Sequence, residues 1–95
     1  MQLSKLEIQT IKSILHSWVP TAESWVFGSR AQDQGAKYSD VDLLLKMPKP
    51  ISFNVMFKLR DAFAESNLTF KVDVVDWQRI TPEFRAAILE KAKKI

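Results

Sequence analysis

The segment from residue 40 to residue 46 constrains the fold of this chain more than any other. It consists of Asp-Val-Asp-Leu-Leu-Leu-Lys, in which three leucines follow one another. An apolar run of this kind predicts a strand that is buried on both faces. The strand therefore needs neighbouring strands in a sheet, and helices that cover the sheet.

Other segments are predicted to supply these neighbours. Further strands are expected at residues 23–27 and 69–77. Helices are expected to begin at the capping residues Ser4, Ser52 and Thr81, where Glu7 completes a capping box with Ser4 and Pro82 follows Thr81. The residues at helical spacing that form the predicted apolar faces are Leu3, Leu6, Ile11, Ile14, Leu15 and Trp18, then Phe53, Met56, Phe57, Leu59, Arg60 and Phe63, then Phe84, Ile88, Leu89 and Ala92.

The order of these elements predicts the topology. The short connection between the first two strands favours an antiparallel pair, and the helix between the second and third favours a parallel, right-handed crossover. We therefore expect an α+β fold, with a small mixed β-sheet of three to four strands flanked by helices. A chain of 95 residues should form one domain, 1–95.

Composition excludes several classes of protein. The apolar fraction of 46% and the charged fraction of 26% are typical of a soluble globule. An apolar run of about 20 residues and the core of a signal peptide are both lacking, so we expect a cytoplasmic protein. No cysteine is present, and His16 is the single histidine, so thiolate and histidine metal sites are excluded. The net charge of +3 is partly due to Lys91, Lys93 and Lys94, which we interpret as complementing a helix dipole, with nucleic-acid or nucleotide contact as the alternative.

Polar residues are expected to converge at one edge of the sheet. Gly28 and Ser29 follow the first strand, and Asp40 and Asp42 lie at the start of the second. Antiparallel pairing brings these positions together, and a parallel third strand adds Asp73. Closely spaced carboxylates are hard to keep ionised without a cation. Oxygen ligands of this type suit Mg²⁺, and three carboxylates allow a two-ion site for in-line displacement at phosphorus.

The glycine-serine turn has a complementary use. Gly28 allows the backbone to approach a phosphate, and the following amides and the Ser29 hydroxyl can hold phosphate oxygens. Arg30 and Lys37 are available to neutralise phosphate charge. Each feature has a simpler interpretation, since a Gly-Ser pair is usually a turn and an Asp-x-Asp pair is often a solvated strand end. Asp73 is different, because a carboxylate within an apolar strand needs a partner.

Two further interpretations are structural. Asp76, three residues after Asp73, should face the other way and serve the fold rather than the chemistry. Trp18, Trp25 and Trp77 are expected in the core or at an interface, rather than as platforms for base stacking.

In combination these motifs resemble a known family. Gly28-Ser29, the ten residues that follow, and Asp40-x-Asp42 resemble the signature of the DNA polymerase β-like nucleotidyltransferase superfamily. The segments 39–45 and 72–76 resemble its minimal branch, the MNT proteins, which include MntA-type antitoxins. The resemblance implies that Asp40, Asp42 and Asp73 are catalytic ligands of Mg²⁺. It also implies that Gly28 and Ser29, with Arg30, bind the nucleotide, which is ATP or another NTP.

One segment departs from the family pattern. Many relatives continue Gly-Ser-Arg-Ala-Arg-Gly, whereas this chain has Gln32 and Asp33 at the last two positions. This change is expected to affect the rate of reaction and the affinity for nucleotide.

The resemblance also has implications for partners. A chain this short is expected to borrow an acceptor surface from a partner or a second copy, as a hetero- or homo-oligomer. Relatives of this size are paired with a HEPN-domain protein, and in MntA-like pairs AMP is added to a tyrosine of that toxin.

Three functions follow, and the sequence leaves them open. The first is an antitoxin that transfers AMP from ATP to a tyrosine hydroxyl of a HEPN-type toxin. The second is a catalytic subunit that nucleotidylates a small molecule with a helical substrate-binding partner. The third is a non-catalytic binding module that neutralises its partner by contact.

Overall fold

The structure is a computed structural model that describes residues 1–31 and 40–95. Within these ranges no helix is both long enough and apolar enough to cross a membrane. The helices are α1 (Lys5–Trp18), α2 (Phe53–Ala64) and α3 (Pro82–Leu89), and a 3-10 turn spans Trp77–Arg79. The strands are β1 (Glu23–Phe27), β2 (Val41–Lys46), β3 (Val72–Asp76) and β4 (Lys93–Lys94).

The four strands form one mixed sheet in the order β3-β2-β1-β4. β1 is antiparallel to β2, and β2 is parallel to β3, which confirms the predicted strand pairing and the α+β fold class. The leucine run of β2 lies inside the sheet, and Leu43, Leu44 and Leu45 are fully buried. The apolar run thus indicated correctly a strand that is covered on both faces.

The C-terminal lysines were expected in the last turn of a helix, and this prediction was wrong. α3 ends at Leu89, and Lys93 and Lys94 form β4, which pairs with Val26 and Trp25 of β1. The pairing is continued by the Ile95 amide, which donates to the Ser24 carbonyl at 3.0 Å. A strand of two residues is too short to have a hydrophobic period, so only its partner strand defines it.

The main core lies on one face of the sheet, beneath α1 and α2. The register pairs Val26 with Leu43, so side chains at these positions point to the same face. Buried residues of both helices pack there, including Ile11 and Leu15 of α1 and Leu59 of α2. Leu44 points to the opposite face, because side chains alternate along a strand.

The predicted helix starts are confirmed. Ser4 Oγ accepts from the Glu7 amide at 3.1 Å, and the Glu7 carboxylate accepts from the Ser4 amide at 2.8 Å. Ser52 Oγ accepts from the amide three residues on at 3.2 Å, and Thr81 Oγ1 does the same at 3.1 Å. These caps satisfy amides that have no partner within the first helical turn.

The predicted apolar faces were too wide. Leu6, Trp18, Phe53, Phe57, Phe84 and Leu89 are exposed, with Leu6 at 72% and Phe53 at 69%. Ile88 is the one buried residue of α3. Helical spacing indicates which residues share a side of the helix, but the area that the sheet and the neighbouring helix cover decides how much of that side is buried.

Asp76 connects the end of β3 to the start of α2. Its side chain is buried, as expected for a structural residue, and lies on the core face of the sheet. The carboxylate accepts from the Ile51 amide at 2.8 Å, the Gln78 amide at 2.9 Å and Arg79 Nη1 at 2.6 Å. Three donors therefore converge on one buried carboxylate.

We expect Asp76→Ala to lower the free energy of unfolding by about 2–4 kcal/mol, because it leaves buried donors without an acceptor. The melting temperature should fall by about 10 °C or more for a chain of this size. Thermal and urea unfolding measure both values. Asp61→Ala, at an exposed position of α2, is the matched control. Equal stability of the two variants would contradict the anchoring role of Asp76.

Candidate active site

The strand register brings two of the predicted carboxylates side by side. Asp42 of β2 is the partner of Phe27 in β1 and of Asp73 in β3. Side chains at paired positions leave the same face of a sheet, so Asp42 and Asp73 are direct neighbours. Asp40 lies one residue before β2 and is exposed. The three aspartates therefore occupy the edge that the sequence indicated, with Asp42 at its centre.

The electrostatics of Asp42 show that these carboxylates interact. Partial burial raises the pKa of Asp42 above its ordinary value of 3.8, and the negative charges of Asp73 and Asp40 raise it further. Each contribution disfavours the ionised form. The folded chain therefore concentrates negative charge that a bound cation would stabilise.

Lys71 supplies one positive charge at this edge. Its Nζ lies 3.5 Å from Asp73 Oδ1, and both side chains are substantially exposed. An exposed ion pair of this kind is weak and can exchange partners. Lys71 was not among the predicted site residues, although it precedes Asp73 by two positions, and the period of a strand would have placed both side chains on one face.

Gly28 lets the backbone after β1 lie directly against Asp42. Its φ angle is +81°, in the left-handed region that side chains with a Cβ rarely adopt. A Cβ at this position would lie 2.5 Å from Asp42 Oδ2, well inside van der Waals contact. The turn continues with Ser29, which is exposed, and the Ala31 amide donates to the Gly28 carbonyl at 3.2 Å. The predicted phosphate turn is thus adjacent to the central carboxylate.

Arg30 has a different position from the one its predicted role suggests. The side chain is only 4% exposed, and its Cζ lies 4.7 Å from the centre of the Phe70 ring. Its carbonyl accepts from the Gln2 amide at 2.8 Å, so the N-terminal segment supports the turn. Sequence reasoning missed both Gln2 and Phe70, because they are distant from Arg30 along the chain. Nucleotide binding by Arg30 stays a prediction.

The residues between the turn and Asp40 lie outside the described part of the chain. They include Lys37, which was predicted to neutralise phosphate charge, and Gln32 and Asp33, which depart from the family pattern.

The donor set at this edge fits a hard divalent cation. In residues 1–31 and 40–95, no group of three or more His, Asp or Glu side chains is arranged to hold a metal ion by itself. Asp42 and Asp73 are nevertheless paired in register, and the charge of Asp40 acts on Asp42. All the donors are carboxylate oxygens, which suit Mg²⁺ or Mn²⁺ better than a metal that prefers nitrogen or sulfur.

Comparison with known proteins agrees with this geometry. Residues 9–95 match the family model for polymerase beta nucleotidyltransferases. The chain is 36% identical over 88 residues to the probable protein adenylyltransferase MntA of Haemophilus influenzae, covering 93% of this chain and 77% of that protein.

Solved structures share the fold. A toxin-antitoxin crystal structure with AMP-PNP matches with a TM-score of 0.78 and 22% identity, covering 90% of this chain and 69% of the matched chain. The complex of a tri-AMPylated Shewanella oneidensis HEPN toxin with MNT antitoxin matches with a TM-score of 0.74 and 21% identity, covering 99% and 71%. The family model, the MntA relative and the shared fold agree: this chain belongs to the polymerase beta nucleotidyltransferase family.

Proposed function

We propose that this chain is the antitoxin of a toxin-antitoxin pair and transfers AMP from ATP to a tyrosine hydroxyl of a HEPN-type toxin in the cytoplasm. The observation that carries the proposal is the contact between the Gly28 turn and Asp42, with Asp73 in register beside it. This contact joins a phosphate-binding turn to a cation-binding edge. The relatives named above include an MntA adenylyltransferase and an antitoxin in complex with an AMPylated HEPN toxin.

In this proposal the three carboxylates have distinct positions. Asp40, Asp42 and Asp73 would hold Mg²⁺, with Asp42 at the centre because the charges of both other carboxylates act on it. When bound, the ions neutralise phosphate charge and support both the attacking and the leaving oxygens. In the same proposal, Asp73 accepts the proton of the acceptor hydroxyl. Its neighbour Lys71 balances part of the charge at this position.

The turn after β1 binds the phosphates. The backbone at Gly28 comes close to Asp42 because it has no Cβ, and the exposed Ser29 hydroxyl and amide hold the β- and γ-phosphates. The tyrosine oxygen then attacks the α-phosphorus, and the bond between the α-phosphorus and the bridging oxygen breaks. Pyrophosphate leaves, and the hydroxyl proton passes to Asp73. The chain thereby positions donor and acceptor at one edge of the sheet.

The proposal is tested by incubating the chain with α-labelled ATP, Mg²⁺ and a HEPN-type partner. The Shewanella oneidensis HEPN toxin provides an acceptor of this class. We expect wild type to label a tyrosine of the partner, and Asp40→Ala/Asp42→Ala to leave it unlabelled because cation binding is lost. Asp61→Ala is the control and should transfer label like wild type.

Each alternative function corresponds to a different result. If wild type and the double variant bind and inhibit the partner equally, and neither transfers label, the chain is a binding module. If label appears on a small molecule only when the partner is present, the partner is a substrate-binding subunit. Either result would overturn the proposed modification of a tyrosine.

A further inference from the structure

Two tryptophans and three cationic side chains form a cluster that the proposed reaction does not use. The rings of Trp25 and Trp77 are stacked, with centroids 6.2 Å apart and 23° between their planes. Lys46 Nζ and Arg85 Cζ lie 4.6 Å and 4.8 Å from the centre of the Trp77 ring. Lys94 Nζ lies 5.5 Å from the centre of the Trp25 ring. We call these five residues the tryptophan–cation cluster.

The cluster lies on the same face of the sheet as the carboxylates. Trp25 pairs with Leu44, and the alternation of side chains along β2 places Leu44 and Lys46 on the face that carries Asp42. Asp42 and Lys46 are four residues apart, which corresponds to about 13 Å along a strand. Leu44 between them is fully buried, so a ligand that reaches both lies over the side chains that cover Leu44.

The charge of this face changes sign along β2. The carboxylate edge is negative, whereas the cluster has three cations beside Glu23, which pairs in register with Lys46 and whose Oε1 lies 3.1 Å from Lys94 Nζ. The cations are also held in place. Arg85 Nε donates to the Trp77 carbonyl at 2.8 Å, and contact with an aromatic ring restricts the lysine side chains. A fixed positive surface suits an anionic ligand, because little conformational entropy is lost on binding.

The arrangement favours an acidic peptide over a nucleic acid. Proteins that bind single-stranded nucleic acid stack bases on open aromatic rings. Here Lys46 and Arg85 lie over the Trp77 ring, and Lys94 lies over the Trp25 ring. Carboxylates of a peptide need only cationic groups and no open ring. Lys94 is such a cationic group, and its side chain is largely exposed.

We propose that the tryptophan–cation cluster binds an acidic segment next to the acceptor tyrosine of the partner. This inference rests on the proposed function and specifies how the acceptor is recognised. An extended peptide rises about 3.3 Å per residue, so an acidic residue four positions from the tyrosine reaches Lys46 when the hydroxyl is at the carboxylate edge. The surface thus selects acceptors by charge complementarity.

Binding of matched synthetic peptides tests this surface. Each peptide contains one tyrosine, with either glutamates or lysines at the third to fifth positions on both sides. Binding is measured from tryptophan fluorescence in a Trp18→Phe background, since Trp18 is an exposed residue of α1 outside the cluster. We expect the acidic peptide to bind at least about tenfold more tightly than the basic one, with weaker binding at high salt.

Charge variants assign the effect to the cluster. Lys46→Glu should weaken binding of the acidic peptide about tenfold, and Lys46→Arg should retain it. Lys58→Glu, at an exposed position of α2, has the same charge change and should have no such effect. If Lys46→Glu unfolds, Lys94→Glu on the exposed β4 replaces it.

Four results would overturn the proposal. The first two are equal affinity for the two peptides and no binding of the acidic peptide. The others are equal effects of Lys46→Glu and Lys58→Glu, and tighter binding of an oligonucleotide of equal charge.

The assay separates this proposal from the proposed function, because fluorescence reports binding without transfer. If the HEPN partner is labelled but the peptides are not distinguished, the acidic docking surface is wrong and the adenylyltransferase stands. If the acidic peptide binds selectively but no acceptor is labelled, the surface exists and the proposed reaction is wrong.

Discussion

Asp42→Asn is expected to reduce AMP transfer by at least about 10³-fold, equivalent to about 4 kcal/mol of transition-state stabilisation. Asp42 is the central carboxylate, in register with Asp73 and in contact range of the Gly28 turn. An amide has the same shape but cannot supply the charge that holds a divalent cation. Label transfer at saturating ATP and Mg²⁺ measures the effect, and Asp61→Asn provides the matched control.

The same substitution should stabilise the metal-free chain. The pKa of Asp42 is raised above 3.8 in the folded state. When the pH increases above 3.8, the unfolded chain therefore loses the proton of Asp42 at a lower pH than the folded chain does. The folded state then loses stability as pH rises. At pH 7.5 Asp42→Asn removes this penalty, and we expect the melting temperature to increase. The difference from wild type should shrink as pH is lowered towards 4.

Opposite effects on transfer and stability are typical of a site that concentrates like charge for function. A variant that loses transfer because it is misfolded would instead have a lower melting temperature. If Asp42→Asn transfers AMP at the wild-type rate, the carboxylate edge is not the cation site.

Gly28→Ala is expected to lower transfer by about 10²-fold and the free energy of unfolding by about 1–2 kcal/mol. Two causes combine, because alanine disfavours a φ of +81° and its Cβ would lie 2.5 Å from Asp42 Oδ2. The carboxylate must move to accommodate the methyl group, and small displacements at a reacting centre have large effects on rate. Transfer assays and urea unfolding measure the two losses separately.

Gly28→Asn separates these causes. Asparagine tolerates the left-handed conformation better than alanine but also has a Cβ. We therefore expect Gly28→Asn to unfold closer to wild type than Gly28→Ala does, yet to transfer AMP as poorly. If Gly28→Asn recovers transfer together with stability, the contact with Asp42 is unimportant and backbone conformation alone explains the glycine.

Sequence reasoning predicted the positions of the carboxylates well, because the features that indicate them are local. Asp40, Asp42 and Asp73 lie at strand ends that the hydrophobic pattern indicated, and Asp76 was expected on the other face, where the structure has it. It was less successful for Arg30. A cation next to a glycine turn suggests phosphate binding, but Phe70, forty residues later, lies beneath its guanidinium group.

The sequence by itself determined the types and order of most elements, the helix caps and the carboxylates of the sheet edge. These features depend on residues within about one helical turn or along one strand, and their preferences act locally. The tertiary structure decided the register of Asp42 with Asp73, the contact of Gly28 with Asp42, the burial of Arg30 and the pairing of β4. Each depends on segments far apart in the chain, because packing and strand pairing, rather than local preference, bring those segments together.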